Sequence, residues 1–177
     1  PTARRAPGEL RERSVPMIVL AVALCLTLAL VIQAGLSLIG PGLAHAFDPF
    51  LVVMVFFALR YGDTTGMLVG AGAGWVQDFH FAGPVLGLSA LSKLVVGFCV
   101  GLVGSRLFLT GGWERLLVIL GAAFMDALLF ERLVSFFDLH AEPISIGLLL
   151  GRAALTAILG ASVFTLVDRK ILAGRHR

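Results

Sequence analysis

Five ionisable residues stand inside or at the edge of long apolar runs: Asp78, Lys93, Asp126, Glu131 and Arg152. Charges withdrawn from water are expensive, and they usually face a partner or a wet cavity. Carboxylates set among a lysine and an arginine suit ion pairing or the capture of a charged group. The spacing predicts a shared polar recess in which Lys93 and Arg152 face Asp126 or Glu131, with Asp78 at its rim. The competing reading has both long cations snorkelling to the nearest polar boundary. Catalysis has no comparable set: a Ser-His-Asp arrangement, a Gly-rich phosphate loop and HExxH are all missing. Asp78 beside His80 lacks a nucleophile. His45, His80, His140 and His176 are too widely spaced to suggest a metal site. Cys25 and Cys99 lie in separate apolar runs without redox or ligand spacing. These residues predict neither an enzyme nor a cofactor.

The elements that must position them are apolar. Of 177 residues, 58% are hydrophobic and 14% charged, against about 45–50% and about 25% in a water-soluble domain. One core of this size cannot hide that excess, so the surface itself must face something apolar. The runs are continuous rather than alternating, which selects helices over a closed barrel in lipid. They predict an all-α integral membrane bundle, 15–170, of about six short transmembrane helices. The expected spans are 16–39, 47–60, 64–79, 86–108, 113–137 and 143–168, between basic tails at 1–14 and 171–177. Ser14-Val15-Pro16 reads as a cap and first turn, as does Asp48-Pro49. The first run is too long for a cleavable signal and is expected to remain as an anchor. The second and third are short, and read either as crossings or as a re-entrant hairpin.

Lysine and arginine set the orientation. With the N-terminus inside, the cytoplasmic segments hold Arg4, Arg5, Arg11, Arg13, Arg60, Arg106, Arg115, Arg169, Lys170, Arg175 and Arg177. The external segments hold Arg132 and four acids, Asp48, Asp78, Asp138 and Glu142. Both termini are therefore expected in the cytoplasm, and the recess is expected to open outward. Tyr61 and Trp113 fall at the inner boundary, where amphipathic rings anchor. Basic residues so scattered, flanking spans, argue against nucleic-acid binding. Glycines recur every four residues at Gly66, Gly70 and Gly74, and again at Gly97 and Gly101 and at Gly147 and Gly151. Such faces let backbones approach closely, either within the bundle or against a partner's helix.

The stretch from Leu59 to Gly101 resembles the signature region of the MreD family of rod shape-determining membrane proteins. The matching elements are Arg60-Tyr61-Gly62, glycines 66, 70 and 74, Asp78 after an aromatic-flanked helix end, and Gly87-Leu88-Ser89-Ala90-Leu91. Trp75-Val76-Gln77-Asp78 looks like the family's GLxxD element with Trp in place of a more usual aliphatic residue. Beyond this stretch only length, span count and topology agree. The resemblance implies a non-enzymatic, multi-pass protein of the bacterial cytoplasmic (inner) membrane, within the cell-elongation (Rod) machinery. It implies MreC as direct partner, with MreB, the glycosyltransferase RodA and its elongation transpeptidase in the same complex, and surrounding lipid. The alternative is a substrate-binding subunit of a vitamin uptake transporter, similar to the S-components of energy-coupling-factor systems. That subunit would use the recess for an anionic ligand.

Overall fold

The apolar runs become helices, and polar or glycine-containing segments part them. In a computed structural model the described residues are 7–40, 47–81, 86–106, 112–137 and 146–174. Among them lie six helices and no strand: α1 (Pro7–Ile39), α2 (Pro49–Tyr61), α3 (Asp63–His80), α4 (Leu88–Arg106), α5 (Gly112–Phe136) and α6 (Ile146–Gly174). Among the described residues, two stretches are long and apolar enough to cross a membrane, Pro16–Ile39 of α1 and the whole of α4.

Two helices run beyond the expected spans. The first helix does not start at Ser14-Val15-Pro16; Pro16 lies inside α1, which begins at Pro7. Glu9, Leu10, Arg11, Glu12 and Arg13 are all strong helix formers, and they carry the helix through the residues expected to form a tail. At the other end α6 continues to Gly174, past the expected limit. The start of α2 is as read. Asp48 is its N-cap, accepting from the Leu51 N–H at 3.1 Å, and Pro49 fills the first turn, where no N–H partner is needed.

Gly62 alone joins α2 to α3. Its φ of +88° favours glycine, and its N–H bonds the Ala58 carbonyl at 2.9 Å. The two helices then run antiparallel, with Ala58 against Gly66 and Met54 against Gly70. Helices α3 and α4 pack more closely still. A methyl group added at Gly66 would overlap the Gly97 carbonyl; at Gly70 it would meet the Lys93 carbonyl, and at Gly74 the backbone of Ala90. Gly97 abuts Gly66 in return, and Gly101 abuts Asp63. These five glycines are thus consumed by packing within the chain, and no groove remains on them for a partner's helix. Gly151 differs, since a methyl there would meet nothing within 4 Å, and Gly147 is exposed.

The centre of the bundle is the short α2, which touches α1, α3, α4, α5 and α6. Phe50, Met54, Val55 and Ala58 are fully buried. Helix α1 leans on α2 and α3, and α6 leans on α5 and α2. Among the described residues, no Cα of α1 comes within 8 Å of a Cα of α6. The outside is strongly apolar: Met17, Leu20, Leu24, Leu38, Trp75 and Phe79 are all exposed.

Candidate functional site

Packing brings the start of α2, the second turn of α4, the middle of α5 and one face of α6 into a common layer, and the buried charges sit there. Lys93, in the second turn of α4, is 2% exposed. Its Nζ donates to Asp48 Oδ2 and Asp126 Oδ2, both at 2.8 Å. Asp48 and Asp126 are 4% and 8% exposed, so the set is closed to solvent. Removing one partner of a buried ion pair typically costs about 3–5 kcal/mol, because the other charge is left uncompensated.

Each carboxylate is secured by more than the lysine. Asp48 Oδ1 accepts from the Leu51 N–H, and the Asp48 N–H reaches Thr156 Oγ1 at 3.3 Å. Asp126 Oδ1 accepts from the Ser92 hydroxyl at 2.7 Å, and that hydroxyl also lies 3.1 Å from the Asp126 carbonyl. Thr156 and Ser92 are each 1% exposed. The network therefore ties together the start of α2, the second turn of α4, the middle of α5 and one face of α6. A fully paired polar layer of this kind specifies one arrangement of helices, since any slip strands a charge.

The cluster differs from the sequence expectation in three ways. Lys93 does meet Asp126, but Arg152 forms no ion pair with Asp126 or Glu131 among the described residues. Its positive charge acts on Asp48 through space. Glu131 is half-buried on α5, more than a turn beyond Asp126, and makes no bond to the cluster. Asp78 does not line the cluster. Its Oδ2 accepts from the Gly87 N–H at 2.9 Å and the Ser89 N–H at 3.1 Å, capping α4. An acidic residue is favoured there, at the positive end of the helix dipole. Gly87 adopts φ +98°, which turns its N–H toward the carboxylate.

Asp48, Ser92 and Thr156 were not anticipated as members. One signal was available: Asp48, an acidic N-cap, opens a short span on the outer side, toward which Lys93 also lies. Thr156 lies one turn beyond Arg152 on α6, and Ser92 precedes Lys93, but neither spacing marks a bond across helices. Chemically the arrangement holds charge rather than offering it. Lys93, bracketed by two carboxylates, is not free to bind an anion, and the Ser92 hydroxyl beside Asp126 is buried with it. Among the described residues no group of three or more His, Cys, Asp or Glu could hold a metal ion.

No protein-family model, curated protein or solved structure matches the chain.

Proposed function

We propose that this chain is a non-enzymatic, multi-pass scaffold of the bacterial cytoplasmic membrane, MreD-like in role, that binds an MreC-like partner. In this role it helps couple MreB filaments to the peptidoglycan-building enzymes, RodA and its transpeptidase, and so maintains rod shape. The observation that carries the reading is the segment 59–101. The residues that resemble the MreD signature are the ones used for its glycine-lined α2–α3–α4 packing and for the Asp78 cap.

Six crossings with both termini inside agree with the apolar exterior and the arginine and lysine distribution. Helix α2 has 13 residues, about 20 Å at 1.5 Å each, short of a core about 30 Å thick. Five neighbours surround it, so its ends need not be matched to lipid. The paired and buried state of Lys93 weighs against the transporter alternative, whose recess would present that lysine together with Arg152 to an anionic ligand. With Gly66, Gly70, Gly74, Gly97 and Gly101 filled, the small-residue face left for a partner's helix is that of Gly147 and Gly151 on α6.

Copurification from native membranes tests the reading. An MreC-like single-span protein should accompany the chain, and cysteine at Gly151 should crosslink to its span. A tightly bound vitamin without such a partner would replace this reading with the transporter. A reporter fused after Arg177 should report the cytoplasm; an external signal would overturn the orientation.

A further inference from the structure

Among the described residues, α1 and α6 flank α2 without approaching each other, which leaves a strip of α2 between them. Eight residues of α2 are buried, from Pro49 to Ala58, whereas Val53 and Phe56 are only partly so. These two are three apart and share one helical stripe. Val53 packs against both apolar clusters of the bundle, one of which includes Ala29 of α1 and the other Phe164 of α6. Phe56 meets Phe164 edge-on at 5.2 Å. The strip is thus the floor of an apolar groove with α1 on one side and α6 on the other.

One end of that groove is cationic. Arg152 lies one turn before Thr156 on α6, on the side turned to Asp48. Its guanidinium makes no ion pair among the described residues. The neighbouring carboxylates are already engaged by Lys93, Leu51 and Ser92. A guanidinium carries five N–H donors in a fork that matches phosphate. Helix α2 spans about 20 Å, enough to line one leaflet of a hydrocarbon core about 30 Å thick. An apolar trough of leaflet depth with a cation at one end is complementary to an acidic lipid. A partner's apolar helix offers nothing to the arginine.

We propose that the groove between α1 and α6 holds one acidic phospholipid of the outer leaflet, its acyl chain on Val53 and Phe56 and its phosphate on Arg152. The proposal rests on the membrane reading above, and the test separates the two. The full chain is first washed in membranes with alkaline carbonate, then reconstituted with equal phosphatidylglycerol and phosphatidylcholine and released for native mass spectrometry. The wild type should stay in the membrane and retain one phosphatidylglycerol, at least tenfold over phosphatidylcholine. Arg152→Gln should erase that preference, and Arg152→Lys should restore part of it. Val53→Phe leaves the charges untouched and should lower retention of both lipids by fivefold or more. A chain released by carbonate overturns the membrane reading and the lipid with it. A chain that stays but shows no preference, or keeps its preference in Arg152→Gln, overturns the lipid alone. So does displacement of the lipid by inorganic phosphate, which would mean a free-anion site.

Discussion

Replacing Lys93 with methionine asks the most of the structure. Methionine keeps much of the apolar stem and removes the charge. Asp48 Oδ2 and Asp126 Oδ2 each lie 2.8 Å from Nζ, so they are no more than twice that distance apart. Two unit charges at that separation repel by about 3 kcal/mol at an effective dielectric near 20. The variant also loses two charge-assisted hydrogen bonds, and the destabilisation expected for a broken buried pair is about 3–5 kcal/mol. Asp126→Asn alone should cost less, because Lys93 keeps Asp48. The double variant Lys93→Met/Asp126→Asn should be more stable than the sum of the two losses predicts, by about 1–3 kcal/mol, since the repulsion is gone. Reversible unfolding in mixed micelles, followed by helical circular dichroism, measures all three. Losses that add to within about 0.5 kcal/mol would show that lysine and aspartate do not interact, and the account of the site would fail.

Other perturbations probe the packing around it. Gly70→Ala drives a methyl into the Lys93 carbonyl and should cost at least the about 1–3 kcal/mol usual for overpacking. Gly151→Ala meets open space and should be neutral or gain up to about 1 kcal/mol from helix propensity; thermal melts of the pair give the contrast. Asp78→Ala strips the acceptor from the Gly87 and Ser89 N–H groups and should cost about 0.5–2 kcal/mol, as loss of a helix cap does. Faster amide exchange at residues 87 and 89 would accompany it. Arg152→Gln and Asp126→Asn should destabilise additively, because no contact joins them; a coupling above about 0.5 kcal/mol would refute the arrangement described.

Much of this protein was written in its residue order. Continuous apolar runs fixed helices rather than strands, and Asp48-Pro49 and Gly62 marked where α2 starts and stops, because caps and positive φ are local chemistry. The recurring glycines announced close packing, and the depth of Lys93 and Asp126 announced a buried pair. What the order of residues left open was which face meets which. Gly66 and Gly97 read as an internal seam or as a partner's groove, and the back-to-back packing of α3 and α4 decides for the seam. Asp48, an apparent loop acid 45 positions from Lys93, became its partner only when α2 was set at the centre of the bundle. Arg152 read like a member of the pair and proved to be its neighbour. Burial and capping depend on the nearest few residues, whereas the partner of a charge depends on how whole helices are arranged around one another.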